Sequence, residues 1–364
     1  MDIDSEAREL FAYTREIRRD LHIHPDLGFE EFRTASIVAD ELAKAKLAVK
    51  KNVGRTGVVG VLEGKFPGPT VLLRFDMDAL PIEEDTGVEY ASRNPGKMHA
   101  CGHDGHVAIG LTVAKLLAKY RDSLTGNYKL IFQPAEEGLG GAEEMIREGI
   151  LGDPKPDFAL GLHLWNEKLV GWCGVTDGPF MAGADLFTIN ISGKGGHGAL
   201  PENTIDPVVT AAHLITALQT IVSRNVSPQK VAVISVTRVI AGTAYNIIPS
   251  EAILHGTIRT FDSEIRNQVH DRIGSIVKGV CEGLGCSASV KITKLTPAVV
   301  NDSRATDCVR KAISESKYNI FQDNHYQSMV SEDMALILEE IPGCFFFVGS
   351  GFEDTSKNYG HHHP

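Results

Sequence analysis

The chain has 364 residues and a formal net charge of −11 at pH 7. This length exceeds one ordinary domain, so two domains are expected. The acidic balance argues against a nucleic-acid partner, which needs a basic face. No apolar run approaches the roughly 20 residues that span a bilayer, and the first residues lack the pattern of a secretory signal. Six cysteines are too sparse for a disulfide framework. We therefore predict a cytoplasmic, soluble protein.

The first half of the chain alternates between helix and strand patterns. The predicted helices are 5–21, 34–47, 106–120 and 142–148, and the predicted strands are 58–62, 70–75, 127–132 and 157–161. This alternation predicts an α/β fold with a mostly parallel central sheet that helices cover. In such sheets, ligand sites lie beyond the carboxyl ends of the strands.

The pattern changes near Gly178. Strands are predicted at 186–192, 231–240, 252–261 and 287–292, with helices at 207–222 and 263–282. The order β-α-β-β-α-β is that of a ferredoxin-like α+β domain. The chain then returns to α/β patterns, with helices at 302–316 and 331–339 and a strand at 344–348. We predict a discontinuous domain of residues 1–179 and 295–364, with residues 180–294 inserted as a second domain.

Residues 98–106 read Met-His-Ala-Cys-Gly-His-Asp-Gly-His and contain ligands that zinc prefers. Cys101 and His103 are two positions apart, so in an extended segment or turn they can reach one ion. The alternative is a buried cysteine near an unrelated histidine. The glycines at 102 and 105 and a second acidic and histidine cluster downstream favour the metal site.

Glu136 and Glu137 follow Pro134 after the strand 127–132. Adjacent side chains leave the backbone in different directions, so one can bind metal while its neighbour acts as general base. An isolated pair would more often be a solvated loop, but the position after an apolar strand favours the site.

His163 follows the strand 157–161. A lone histidine at this position would more often be structural. The other clusters of metal-ligand residues favour a role for it at the same site.

Asp76 and Asp78 follow the strand 70–75, and their spacing places both carboxylates on one side of an extended segment. A carboxylate near a metal-bound histidine commonly orients the ring. We favour that role for Asp78. The alternative is that it caps the turn before Pro81.

Other histidines carry weaker signals. The run His361, His362 and His363 before Pro364 has a vector-derived tag as its alternative, but three histidines and a proline make a poor tag. His197 lies in the loop 193–198, Gly-Lys-Gly-Gly-His-Gly, which lacks the spacing of a phosphate-binding P-loop. The pair in 22–25, His-Ile-His-Pro, is interpreted as a structural helix exit. No Gly-x-Ser-x-Gly motif is present, which disfavours a serine hydrolase.

These motifs together carry a family resemblance. The segments are 19–28, 76–81, 98–106, 134–138, 195–199 and 362–364. The sequence resembles the aminoacylase and hippurate-hydrolase branch of the co-catalytic zinc peptidases, which includes bacterial N-acyl-amino-acid amidohydrolases and plant auxin-conjugate hydrolases. The resemblance implies a zinc-peptidase-like catalytic domain with an inserted dimerisation, or lid, domain. Family members continue past the His-His-Pro, whereas this sequence stops at Pro364, either because it is cut there or because the chain is naturally short. A missing terminal segment is expected to loosen the liganding histidine and weaken metal retention.

The resemblance also implies a set of metal ligands. Cys101 takes the bridging place between two divalent ions. His103 and His163 hold one ion, and Glu137 and His362 hold the other. Zn, Mn, Co and Ni all suit such a site.

The remaining roles are likewise implied by the resemblance. Glu136 matches the general base. His197 matches a lid-domain histidine that steadies the tetrahedral oxyanion, in the family often across a dimer interface. Asn246 and Arg259 fall where relatives bind the free carboxylate of the substrate.

The predicted activity is hydrolysis of the amide bond of N-acyl amino acids, such as acetyl or benzoyl derivatives. The expected partners are a small N-acyl amino acid and a second or further copies in a homodimer or homotetramer, with no nucleic acid or membrane. A dipeptidase or carboxypeptidase on the same site is the alternative enzyme. A metal-stabilised binding protein without catalysis is the alternative of another class, which the complete Glu136–Glu137 pair disfavours.

Overall fold

The computed structural model describes residues 2–354, 360 and 362–364. The chain forms two compact units. Unit 1 consists of Met1–Phe180, Val300–Gln327 and Asp333–Pro364, and unit 2 of Met181–Val299 and Ser328–Glu332. The assignment of one unit to catalysis and the other to dimerisation stays a prediction.

The first segment, which ends at the crossing into unit 2, contains five α-helices and seven strands in its described part. The helices are α1 (Ile3–Glu9), α2 (Phe11–Ile23), α3 (Phe32–Lys44), α4 (His103–Lys119) and α5 (Gly141–Arg147). The strands are β1 (Ala48–Val53), β2 (Gly57–Glu63), β3 (Phe66–Asp76), β4 (Thr125–Gln133), β5 (Phe158–Leu169), β6 (Trp172–Gly174) and β7 (Gly178–Met181). The single helix predicted over 5–21 is two helices divided at Leu10. Because α1 buries none of its residues, packing on the core does not align it with α2.

Unit 2 is built on an antiparallel sheet. Its strands are β8 (Gly183–Ser192), β9 (Gly196–His197), β10 (Ala232–Ala241), β11 (Ile247–Ile248), β12 (Glu251–Thr260) and β13 (Ser287–Thr296), and its helices are α6 (Pro207–Thr220) and α7 (Ser263–Gly283). Four strands pair in the order β10-β12-β8-β13, and β9 pairs with β11. Asp206 and Asp262 cap the two helices by accepting backbone hydrogen bonds. The apolar faces of the helices and the sheet form one core.

The returning segment completes the sheet of unit 1. Its elements are β14 (Val299–Asn301), α8 (Ser303–Glu315), β15 (Phe321–Asp323), α9 (Met334–Glu340) and β16 (Gly343–Gly351). The eight-stranded sheet has the order β1-β2-β4-β3-β5-β16-β6-β15. The four central strands β4, β3, β5 and β16 run parallel to one another. On one side β1 and β2 form an antiparallel edge, and on the other β6 pairs antiparallel with β16. The predicted α/β fold with a mostly parallel central sheet is confirmed.

Helices pack on the central parallel strands, and the sequences of these buried strands are correspondingly apolar. One core joins α2, α3 and α4 to the sheet through buried residues such as Leu42, Leu111 and Phe132. In this register Asp76 lies beside Gln133 across the β3–β4 pair. The carboxyl ends of both strands therefore meet at one edge of the sheet. Among the described residues, no helix combines the length and apolar character that crossing a bilayer requires.

Candidate metal centre

The first part of the site is the turn that begins α4. Gly102 precedes the helix with φ +82°, a left-handed conformation that glycine adopts at little cost. His103 is the first residue of α4 and is buried. The turn therefore places Cys101 just outside the helix and His103 just inside it, on neighbouring positions of one tight bend.

Cys101, His103 and His163 form one candidate ligand group, whose ligand atoms all lie within 4.8 Å of one another. The Cys101 Sγ is 3.3 Å from the His163 Nε2. The Nδ1 of His163 donates to the Leu164 carbonyl at 2.6 Å, which leaves the Nε2 lone pair facing the group.

His163 was predicted to follow a strand that ends at 161, and this prediction is wrong. The histidine lies inside β5, which runs to Leu169. The strand continues because β16 supplies a parallel partner along this stretch, with Phe347 opposite His163. The ring therefore projects from the sheet itself rather than from a loop.

Asp78 holds His103 from behind. The Nδ1 of His103 is 2.9 Å from the Asp78 carbonyl oxygen and 3.2 Å from its Oδ1. The proton of the neutral ring therefore sits on Nδ1, and Nε2 is left to bind an ion. That buried Nε2 forms no hydrogen bond with any described residue.

Cys101, Glu137 and His362 form a second group whose ligand atoms lie within 4.8 Å of one another. The His362 Nε2 is 3.5 Å from the Glu137 Oε1. This carboxylate oxygen is buried and forms no hydrogen bond with a described residue. Of the neighbouring terminal histidines, His361 lies outside the described residues.

The donor set fits metal ions on four grounds. Cys101 is common to both groups, and a thiolate can bridge two ions. Burial raises the pKa of the Cys101 thiol to about 12, so a nearby cation is needed to stabilise the thiolate there. Burial lowers the pKa of His163 well below its usual value, which keeps its imidazole neutral. A sulfur, three imidazoles and a carboxylate suit zinc-like ions.

Glu136 lies beside these groups. One of its carboxylate oxygens is within 4.8 Å of ligand atoms of His103 and Glu137. The Asp333 N–H donates to its Oε1 at 3.4 Å. The residue before it, Ala135, has φ +53°. The glutamate pair thus leaves the end of β4 from an unusual backbone conformation, and Glu136 is within reach of a molecule held between the ligands.

Sequence reasoning missed the role of His106. Its Nδ1 is 2.5 Å from the Asp76 Oδ1, to which it donates, and its Nε2 accepts the Leu164 N–H at 2.9 Å. Both ring nitrogens are used, so His106 ties α4 to β3 and β5 instead of binding an ion. The signal was present, because residues three apart on a helix share a face, and His106 is three positions after His103.

A buried arginine under the site was also missed. Arg74 pairs with Asp76 at 2.6 Å and with Asp333 at 2.8 Å, and its Nε donates to the Gln133 side chain at 2.9 Å. Burial alone would raise the pKa of Asp76, but His103, His106 and Arg74 hold it well below its usual value. Asp76 is therefore an anion in the folded protein.

The histidines near the start of the chain have structural contacts, as predicted. The His22 Nδ1 is 2.8 Å from the Asp104 Oδ2, and its Nε2 is 3.3 Å from Glu84. His24 contacts the Asp20 carbonyl at 3.1 Å. Within the described residues neither histidine belongs to a candidate ligand group.

The other predicted site residues belong to unit 2. His197 is exposed on β9, and its Nδ1 accepts the Ala199 N–H at 3.1 Å, so the proton of the neutral ring lies on Nε2. The Asn246 carbonyl accepts the Gly198 N–H at 2.8 Å, which brings Asn246 beside His197. Arg259 lies near the far end of β12. At about 3.3 Å per residue, roughly 26 Å of strand separates it from Glu251, which is the end of β12 that Asn246 precedes in sequence.

The fold and the ligand groups define a hydrolase of the metal-dependent α/β class. The chain belongs to peptidase family M20/M25/M40, whose model matches residues 72–364, and this confirms the predicted resemblance.

Two relatives and one solved structure illustrate the match. The chain is 42% identical over 348 residues to N-acetyl-L-cysteine deacetylase of Bacillus subtilis strain 168, covering 96% of this chain and 82% of the relative. It is 39% identical over 364 residues to thermostable carboxypeptidase 1 of Saccharolobus solfataricus, covering 99% and 91%. The structure of Bacillus subtilis YXEP, a dinuclear metal-binding peptidase of the M20 family, matches with a TM-score of 0.86 at 35% identity, over 98% of this chain and 92% of that one.

Proposed function

We propose that the protein hydrolyses the amide bond of N-acyl amino acids to a carboxylate and a free amino acid, using two divalent ions. The observation that carries the proposal is the pair of ligand groups that share Cys101, with Glu136 beside them. The deacetylase relative supports the acyl amino acid as substrate, since its name describes this reaction on N-acetyl-L-cysteine.

The proposed ligands follow from the two groups. His103 and His163 hold one ion, Glu137 and His362 hold the other, and Cys101 serves both. The ions are Zn, Mn, Co or Ni, since all four accept these donors. When bound, they lower the pKa of water and polarise the amide carbonyl.

The residues of the chain supply the proton transfers. Glu136 accepts the proton of the attacking water and then donates it to the departing amine, which is general base and general acid catalysis by one carboxylate. The Asp333 N–H holds Glu136 at the edge of the site. Asp78 fixes the ring of His103 through its Nδ1, which keeps the liganding nitrogen in place.

Three residues of unit 2 complete the proposal. The Nε2–H of His197 is a hydrogen-bond donor that suits a developing oxyanion, an effect worth about 3 kcal/mol for one well-placed donor. Asn246 and Arg259 are proposed to bind the free carboxylate of the substrate. Because Asn246 precedes the start of β12 and Arg259 lies near its end, we propose that the two residues that bind one carboxylate come from different copies of the chain.

We propose a homodimer through the β10 edge as the arrangement that meets this requirement. Within the described residues β10 is an outer strand of its sheet, and Val233, Val239 and Ile240 on it are exposed. An exposed apolar edge strand readily pairs with another chain. We expect a mass of at least two chains by light scattering, and Val239→Lys to shift it towards one. Val170→Lys, at an exposed apolar position in unit 1, is the control; an unchanged mass for V239K would exclude this edge.

The activity is tested on protein stripped of metal and then supplied with Zn or Mn. The substrates are N-acetyl amino acids, N-benzoylglycine and matching dipeptides with a free amino group. Metal-dependent release of amino acid from the acyl substrates, at least about tenfold faster than from dipeptides, is the expected result. Preference for dipeptides would favour the peptidase that the carboxypeptidase relative suggests. Metal binding without any turnover would refute the enzyme.

A further inference from the structure

Ala135, the residue before the glutamate pair, is buried and has φ +53°. This is the left-handed region, which side chains with a Cβ rarely occupy because they crowd the backbone. Such strain persists only where surrounding contacts hold it, and it is common beside active sites. The contacts around Ala135 therefore determine the directions in which Glu136 and Glu137 leave the chain.

Two carboxylates hold this stretch of backbone from outside it. The Ala135 N–H donates to the Glu31 Oε1 at 2.8 Å, and the Glu137 N–H donates to the Asp78 Oδ2 at 3.0 Å. Asp78 also contacts the metal centre through its other oxygen. Glu31 is different, because it belongs to none of the candidate ligand groups among the described residues.

Glu31 is fully buried, and burial raises its pKa to about 7. Its other oxygen accepts a hydrogen bond from the Thr56 hydroxyl. Glu31 stands just before α3, yet its side chain makes no capping bond to that helix. Burying a carboxyl group is costly unless it is hydrogen-bonded. These contacts indicate that the Glu31 carboxylate holds the backbone of Ala135 in place.

The loop that carries Glu31 also packs directly on Ala135. A Cβ added at Gly28 would lie 3.2 Å from the Ala135 Cβ and 2.8 Å from the Leu139 side chain. The exposed Leu139 side chain can move aside, but the 3.2 Å contact with Ala135 is tighter than most Cβ contacts, so Gly28 packs closely on this residue. The loop therefore contacts Ala135 in two ways. Gly28 packs against the Ala135 side chain, and Glu31 accepts the Ala135 N–H.

We propose that Glu31 is a positioning residue for the Glu136–Glu137 pair. Its carboxylate keeps Ala135 in the left-handed conformation from which Glu137 reaches the metal ligands and Glu136 reaches the substrate. The inference rests on the roles proposed above for these two glutamates. It assigns a function to the acidic end of the segment 25–31, which lies far from the pair in sequence.

The test compares Glu31→Ala with Glu31→Gln. Zn affinity is measured by competition with a chromophoric chelator, and kcat and KM are measured at saturating Zn. We expect E31A to weaken Zn affinity and to lower kcat by about 10-fold or more each, the usual range for residues that orient metal ligands. E31Q keeps an oxygen acceptor for the Ala135 N–H, so both quantities should stay within about threefold of the parent protein.

The matched control is Asp157→Ala. Asp157 accepts the Thr70 N–H at 2.8 Å, so this variant also leaves a backbone N–H without its carboxylate, but away from the pair. It should lower Tm while leaving Zn affinity and kcat unchanged. Wild-type Zn affinity and kcat in folded E31A would overturn the proposal, as would equal losses in E31A and E31Q.

The proposal can still be tested if E31A does not fold or if the parent protein is inactive. If E31A does not fold, Thr56→Val removes the hydroxyl that fixes the Glu31 carboxylate, and it should weaken Zn affinity severalfold; unchanged Zn affinity in T56V would then reject the proposal. If the parent protein binds Zn but hydrolyses no acyl amino acid, the proposed function fails. The Zn affinity of E31A still tests Glu31 in that case.

Discussion

Replacing Glu136 with glutamine is expected to lower kcat for N-acyl amino acids by about 10³-fold while leaving the metal content unchanged. The amide cannot accept the proton of the attacking water. The metal ligands stay intact, because Glu137 rather than Glu136 belongs to the group with Cys101 and His362. Substrate binding should also persist, so KM should change far less than kcat.

Two other glutamate-to-glutamine variants are compared with E136Q. Glu137→Gln should lose bound metal as well as activity, since it removes a proposed ligand. Glu143→Gln changes an exposed glutamate at the start of α5 and should behave as the parent protein. Elemental analysis reports the metal content of each variant. A kcat for E136Q within about tenfold of the parent would show that another group takes the proton.

Much of the site was predictable because it follows local rules. Glu136 and Glu137 follow β4, Asp76 ends β3, and polar residues at the carboxyl ends of parallel strands converge at one sheet edge. Cys101 and His103 are close because only a glycine separates them. These signals lie within short stretches of sequence, where strand patterns, turn residues and spacing can be read directly.

The supporting contacts were not predictable in this way. Arg74 and Asp333 are 2.8 Å apart in space but far apart in sequence, and no local pattern links them. Glu31 lies just before α3, a position where a side chain commonly caps the helix. Its carboxylate instead accepts the backbone N–H of Ala135. His163 was predicted to follow its strand because the parallel partner that prolongs β5 is β16, which lies far away in sequence.

Strands at the sheet margins were missed for a different reason. The edge strand β1 is largely exposed, and its two lysines give it no clean apolar alternation. The short strands β6 and β15 contain three residues each, too few for a periodic pattern to emerge. Their position depends on pairing with neighbours that the sequence does not reveal locally.

Replacing Arg74 with methionine is expected to lower the free energy of unfolding by about 3–5 kcal/mol. Methionine fills similar space, so the loss comes from charge rather than volume. Arg74 is fully buried between Asp76 and Asp333, and the pKa of Asp76 is held well below its usual value. Without the guanidinium, two buried carboxylates repel each other, and neither can gain the solvation of water.

The charge argument is tested by urea denaturation at one fixed metal concentration, because a bound ion raises apparent stability. Arg304→Met is the control, since this arginine is 71% exposed beside Asp302 and surface pairs contribute about 1 kcal/mol or less. Asp333→Asn should destabilise the parent protein but cost less in the R74M background, because it removes one of the unpaired charges. Equal costs in both backgrounds would mean that Arg74 stabilises unit 1 by packing, and the ion-pair explanation would be wrong.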